Sequence, residues 1–385
     1  MHMADRVKHI APFHVMALLA RARAMEADGR DIVHMEIGEP DFPTPEPIVR
    51  AGQQALAGGA THYTPALGLP ELRRAISGHY RDCYGLKVPW QRIVVTPGGS
   101  GALLLATAVL VQSGDEVILP DPGYPCNRHF VRLFDGVPVN VALTAQTGFQ
   151  FDLPALQRSW RDSAVALMLA SPSNPTGTLI APDVLGQLIE FVEARGARAI
   201  VDEIYHGLVY GADAVSALSF SDNTFVLNSF SKYFGMTGWR LGWMVVPEPY
   251  LDAVERVAQN IFLAPSTPAQ YAALAAFSAQ TREILEERRR IFAERRDFLV
   301  PALRDLGFDI PVTPSGAFYI YADCSKFTRD SFQFCEDILE KTGVVITPGA
   351  DFSVADPKRY VRFAYTTDKQ RLEEAVARLR AYGLS

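Results

Sequence analysis

The run Thr224-Phe225-Val226-Leu227-Asn228 is followed at once by Ser229-Phe230-Ser231-Lys232, then by Gly235-Met236-Thr237-Gly238-Trp239-Arg240, and then by a second apolar run over 241–246. Two short, nearly continuous apolar runs bounded by turn residues suit strands buried on both faces. A lysine beside glycine-rich chain is ordinarily a surface residue. Lysine is also the side chain that can form a Schiff base with an aldehyde, and Arg240 offers a fork of donors that fits phosphate.

The same pattern repeats on either side. Residues 93–96, 116–120, 137–143, 165–170, 199–202, 224–228 and 241–246 read as seven strands. Helical patterns lie between them, as at 101–112 and 182–195. Pro182 precedes the stripe Val184, Leu185, Leu188, Ile189 and Val192. It suits a first helical turn, where its missing N–H would have had no partner. Strands alternating with helices predict an α/β chain with a mostly parallel seven-stranded sheet flanked by helices. Residues 281–306 read as a long amphipathic helix whose charges form a solvated face. Strands return at 317–322, 344–347 and 360–365, and 369–382 reads as a closing helix. The expected organisation is a large α/β domain over 46–285 and a smaller α+β domain over 286–385, which the segment 1–45 joins.

Bulk properties exclude several classes. The 385 residues are 48% hydrophobic and carry a formal net charge of −6, which lacks the basic footprint of a nucleic-acid binder. The four cysteines show no paired spacing and predict free thiols, with no metal site. The longest apolar stretch, 102–111, is far short of the roughly 20 residues that span a bilayer. With no basic-then-apolar leader, a cytoplasmic protein without membrane contact is expected. Met1-His2-Met3 reads as a cloning remnant and is set aside.

Chemistry concentrates at the carboxyl ends of the predicted strands, where open α/β sheets bind ligands. The first strand runs into Pro97-Gly98-Gly99-Ser100-Gly101 and a helix, a setting that suits an anion. The glycines match neither the Walker pattern nor GxGxxG. Asp202-Glu203-Ile204-Tyr205-His206 closes another strand; an aspartate there is costly without a cation. Asp202 and Tyr205 could meet two edges of one flat ligand. Asn174, held by Pro175, could donate to an anionic oxygen.

Together with Gly38-Glu39-Pro40-Asp41-Phe42, Tyr63-Thr64-Pro65, Pro122-Gly123-Tyr124-Pro125, Asn174-Pro175-Thr176-Gly177, Gly238-Trp239-Arg240-Leu241-Gly242 and Arg362, these clusters make the chain resemble the fold-type I, class I/II aminotransferases from about Val7 to its end. The resemblance implies pyridoxal 5′-phosphate as cofactor. It implies that Lys232 holds the cofactor as a Schiff base and shuttles a proton between substrate Cα and cofactor C4′, in two ping-pong half-reactions. Asp202 would keep the ring nitrogen protonated, so that the ring acts as an electron sink. Tyr205 and Asn174 would bond the ring oxygen, and Tyr124 would stack on the ring. Gly99, Ser100, Ser229 and Arg240 would hold the phosphate, with Ser231 a further candidate. Arg362, Asn174 and the backbone at Gly38 would clamp the substrate carboxylate. Tyr63 resembles a tyrosine that reaches the neighbouring subunit's phosphate, so a homodimer is implied.

The expected substrates are an L-amino acid and a 2-oxo acid. A dicarboxylate donor needs a second cation, which in some relatives is a lysine near the glycine cluster; Ser100-Gly101 stand there instead. Ile10, Phe13 and Ile37 could line an apolar pocket, so a neutral or aromatic donor is expected. The same cofactor residues would also serve a C–S lyase acting on cysteine conjugates. A cofactor-binding regulatory module would need a DNA-binding segment, and the family's pattern starts too early in this chain to leave room for one.

Overall fold

A computed structural model of the chain describes residues 3–384, so Met1 and His2 of the segment set aside above lie outside the described residues. Among the described residues twelve strands occur in chain order: β1 (Val33–His34), β2 (Ile93–Thr96), β3 (Glu116–Asp121), β4 (Val137–Ala142), β5 (Ala164–Ala170), β6 (Arg198–Asp202), β7 (Phe225–Ser229), β8 (Gly242–Val245), β9 (Tyr319–Asp323), β10 (Val344–Val345), β11 (Thr347–Pro348) and β12 (Tyr360–Ala364).

Seven of them form one sheet in the order β2-β8-β7-β6-β5-β3-β4. β8 runs antiparallel to both its neighbours, and the remaining pairs are parallel. The expected mostly parallel sheet is therefore present, with helices on both faces. The apolar runs explain why. Successive side chains point to opposite faces of a strand, and here both faces are buried. Ala199 and Val201 of β6, Val226 of β7, and Trp243 and Val245 of β8 enter one core. Ile200, Phe225, Leu227 and Met244 enter the core on the other side.

A third core gathers the helices His14–Ala27, Ala279–Asp305, Ser331–Thr342 and Lys369–Ala381 against the smaller sheets. The 27-residue helix Ala279–Asp305 starts at Ser278, whose hydroxyl accepts from the Thr281 N–H at 3.2 Å, an N-cap that satisfies one of the first turn's spare donors. β9, β12 and β11 form a three-stranded antiparallel sheet. β1 pairs in parallel with β10. The single strand expected over 344–347 is in fact two, β10 and β11, which join different sheets; a continuous apolar run alone cannot show such a handover. Likewise Ala317 precedes β9 in a left-handed conformation with φ 57°, so that strand starts two residues later than expected.

Among the described residues, no helix is long and apolar enough to cross a membrane, and no three His, Cys, Asp or Glu side chains are placed to hold a metal ion.

The strand directions decide where chemistry can occur. β2, β3, β5, β6 and β7 all end at one edge, at Thr96, Asp121, Ala170, Asp202 and Ser229, and antiparallel β8 begins there at Gly242. A Cβ on Gly242 would stand 2.7 Å from the Gly98 carbonyl carbon and 2.9 Å from Asn228 O and Gly99 N. Those atoms are backbone and cannot swing aside. Gly242→Ala should lower stability by about 1–3 kcal/mol, the usual cost of overpacking, read as a shift of the urea midpoint. Gly238→Ala, with nothing within 4 Å of the added carbon, should shift it by less than about 0.5 kcal/mol. Equal midpoints for the two variants would contradict the close approach.

Candidate active site

Lys232 follows β7 at the common edge and points its Nζ at the Gly38 carbonyl oxygen, 2.6 Å away. Burial pushes its pKa down to about 8; the Glu39 carboxylate opposes this, while Arg362 and Arg240 add to it. A lysine so placed is a far better nucleophile near neutral pH than one on the surface. The loop that carries Gly38 is pinned by Asp41, whose two oxygens accept from Arg295 Nη1 and Nη2 at 2.8 Å each. Arg295 is itself buried. Gly38 is required for packing as well: a Cβ there would stand 1.9 Å from the Tyr319 hydroxyl oxygen.

Asp202 closes β6, and its Oδ1 accepts from the Ile204 N–H at 3.0 Å. Burial raises its pKa to about 7, against the pull of that N–H and of Lys232. A carboxyl group poised this way gains charge when a cation comes to face it. Tyr205, three residues on, is buried and shares a 2.9 Å hydrogen bond with the Tyr319 hydroxyl. Burial holds both phenols above their ordinary pKa, so both remain donors. Burial holds the Tyr124 phenol well above its ordinary pKa, and Cys126 and then Asp202 add to this.

At the adjoining strand end, the glycine cluster is the first turn of the helix Gly98–Leu110, not a loop before a helix starting at 101. Gly98 enters that turn with φ +71°, a conformation that side chains resist. A Cβ on Gly98 would lie 2.7 Å from Arg240 Nη2, so the guanidinium lies across the helix N-terminus. Gly99 borders Ile204 and Ser229, and Ser229 Oγ accepts from the Ser231 N–H at 3.0 Å. Ser100 is exposed beside them. Helix N-terminal N–H groups, hydroxyls and an arginine together suit a dianion.

Arg362 lies on β12 and is only 3% exposed. Its Nη1 donates to Asn174 Oδ1 at 2.9 Å, and its Nη2 to the Glu36 carbonyl at 2.5 Å and to Thr347 Oγ1 at 3.4 Å. The Tyr319 and Phe352 rings stand 4.3 and 4.6 Å from its carbon. Nε has no partner. Every acceptor it meets is neutral, and among the described residues no carboxylate pairs with it. A buried guanidinium left in this state favours an incoming anion strongly.

Lys232, Asp202, Tyr205, Tyr124, Asn174, Gly99, Ser229, Arg240, Gly38 and Arg362 thus converge on one edge. Tyr63 does not join them; it is 82% exposed on the outer surface. Sequence reasoning missed Tyr319, Phe352, Thr347 and the Asp41–Arg295 clamp. The run at 317–322 reads as a strand, but a continuous apolar run could not say which ring borders the cleft.

Pyridoxal phosphate has four reactive or charged ends: a phosphate, a ring nitrogen, a phenolic oxygen and an aldehyde. The edge offers a dianion cradle, a carboxyl group awaiting a cation, two hydrogen-bonding side chains and an amine of lowered pKa. The residues present fit the group.

Comparison with known proteins agrees. Residues 30–379 match the family described as aminotransferase class I and II. The chain is 38% identical over 383 residues to a valine–pyruvate aminotransferase of Mycobacterium tuberculosis, covering 98% of each protein. It is 36% identical over 388 residues to a probable aspartate/prephenate aminotransferase of Aquifex aeolicus, again over 98% of each. A crystal structure of an aminotransferase from M. tuberculosis superposes with a TM-score of 0.96, at 38% identity and 99% coverage of both chains.

Two outcomes follow from the pKa directions. The rate at which cofactor-free protein captures added pyridoxal phosphate should climb with pH to about 8 and then level off, because Lys232 is then neutral; a climb that continues towards pH 10.5 would mean an ordinary lysine. Asp202, with a folded pKa of about 7 against 3.8 for the free group, stays protonated in the folded chain where the unfolded chain has ionised, so cofactor-free protein loses stability as pH rises between these values. Asp202→Asn should therefore melt higher than wild type at pH 8, and the difference should vanish near pH 4.

Proposed function

The chain belongs to the class I and II aminotransferase family, and from that premise we propose that it moves the amino group of a neutral or aromatic L-amino acid to a 2-oxo acid. Aminotransferases of this family use pyridoxal phosphate. When bound, this cofactor supplies an aldehyde and an electron-withdrawing ring. In this reading Lys232 Nζ anchors it and carries the substrate Cα proton. Asp202 faces the ring nitrogen and Tyr124 the ring plane. Tyr205 and Asn174 donate to the phenolic oxygen. Gly99, Ser100, Ser229 and Arg240 hold the phosphate. Arg362 binds the substrate carboxylate, helped by Asn174 and the backbone at Gly38, and so orients the Cα proton towards Lys232.

One observation carries the choice of donor. Two guanidiniums act on Lys232, those of Arg362 and Arg240. The proposal commits one to the α-carboxylate and the other to the phosphate. A distal carboxylate would need a third cation, and Ser100-Gly101 occupy the stretch where some relatives carry a lysine. Glu39, which acts on Lys232 as a negative charge, would repel that carboxylate. The valine–pyruvate relative supports the same choice.

A homodimer is part of the proposal. The exposed Tyr63 shares its surface with exposed Tyr271. The two are joined through Thr267, whose hydroxyl donates to the His62 carbonyl at 2.6 Å and which begins the helix that carries Tyr271. A second copy covering this face would bring Tyr63 to its partner's phosphate. The division into 1–45, 46–285 and 286–385, and a cytoplasmic location, complete the reading; the separate core beneath the smaller sheets supports the former.

Loaded protein should show a yellow absorbance band that single amino acids, added without acceptor, bleach. Valine, alanine or phenylalanine should do so at far lower concentration than aspartate; the reverse order would overturn the donor assignment. Lys232→Ala should abolish turnover. Arg362→Leu should retain cofactor and lose about a hundredfold or more in kcat/KM, consistent with removing a buried ion contact.

A further inference from the structure

The turn after β6 carries side chains of two kinds. Asp202 and Tyr205 belong to the site described above. Glu203 and His206 have no part in it. The Glu203 side chain is 1% exposed. Its Oε1 accepts from the Ala217 N–H at 2.7 Å, with Ser216 bonding the same carboxyl. Its Oε2 has no hydrogen-bond partner and faces His206 Nδ1 at 3.5 Å. That nitrogen also lies 3.0 Å from the hydroxyl of Tyr84, at the end of the helix Pro70–Tyr84. The His206 ring bonds the Ser171 backbone as well, and a neutral imidazole donates from one nitrogen only, which leaves Nδ1 as the acceptor.

The groups that act on Glu203 are few. His206 and Asp202 do so from its own segment, and Ser216 and the Ala217 N–H from the turn beyond β6, while Glu203 in turn acts on Tyr80 and Tyr84 of the helix. Among the described residues, no lysine or arginine pairs with it. Two acceptors facing each other away from water repel unless one carries a proton. Burial pushes Glu203 up to about 8 and His206 down to about 3, so the proton belongs on the carboxyl group.

We propose that Glu203 is a positioning residue for the reaction: its carboxyl group braces the 202–206 turn against residues 216–217 on one side and the His206–Tyr84 pair on the other, and so sets where Asp202 and Tyr205 face the cleft. The proposal rests on the roles of Asp202 and Tyr205 given above. The backbone transmits the brace without slack, because the Glu203 N–H donates to Leu227 O at 2.8 Å and the His206 N–H to Glu203 O at 2.9 Å. The uncharged form matters too. A second negative charge next to Asp202 would strain the strand end.

Glu203→Gln and Glu203→Ala test this. Infrared difference spectra between cofactor-free wild type and Glu203→Gln at pH 7 should show a protonated-carboxyl band in wild type beyond the Asp202 contribution that both share, fading as pH passes about 8. Because this is read without cofactor, it tests Glu203 even if no amino acid is turned over. In loaded protein, Glu203→Gln should keep kcat within about threefold and escape the wild-type loss of rate above pH 8. Folded Glu203→Ala should lose about ten- to a hundredfold in kcat with little change in KM, as misplaced catalytic groups do. No such difference band at pH 7, or the same alkaline loss in Glu203→Gln, or wild-type kcat in folded Glu203→Ala, would each overturn the proposal.

Discussion

A guanidinium sealed from water with no carboxylate beside it is an expensive thing for a protein to keep, and much of this molecule is arranged around Arg362. β12 fixes its height between Thr347 and Tyr321. Two rings cage its plane. Asn174, from the far side of the cleft, and Glu36, from the N-terminal segment, turn neutral oxygens towards it. The arginine therefore ties three distant stretches of chain together while its charge remains unanswered. Asp202 is its counterpart on the large sheet, a carboxyl group held by burial at the edge of ionisation. The fold holds both groups ready and apart, each without a partner of opposite charge hydrogen-bonded to it.

Much of this was legible in the residues. The seven strands of the large sheet stand within two residues of where the apolar runs place them, because strands buried on both faces leave a dense signal and turn-forming or polar residues bound them. Lys232, Asp202 and the glycine cluster were legible for a related reason: each closes such a run, and polar residues there are conspicuous. The smaller sheets were harder to read. β10 and β11 are two residues each and leave a single apolar stretch for two different partners. Tyr319 and Phe352 were invisible as site residues because an aromatic in a buried strand looks the same whether it borders a core or a cleft. The Asp41–Arg295 pair spans 254 residues, and nothing local in either stretch announces the other.

Glycine does more here than make turns. Gly38, Gly98 and Gly242 each stand where a single added carbon would strike Tyr319, Arg240 or the neighbouring backbone. The three mark places where segments must approach more closely than side chains permit: beside Tyr319, beside Arg240, and at the sheet edge between them. Close approach brings the cationic groups within reach of one small molecule.

The pairing of β1 with β10 has a consequence for the order in which this protein is made. Val33 lies against Val344, so the first strand to leave the ribosome waits for one about 310 residues behind it. At ordinary rates of synthesis that interval is roughly 15–60 s. The large sheet, complete by Val245, has no such wait. Throughout that time the early segment, with the Gly38 loop and the Glu36 carbonyl that accepts from Arg362, has no strand partner. The binding cleft is thus among the last parts of a newborn chain to exist.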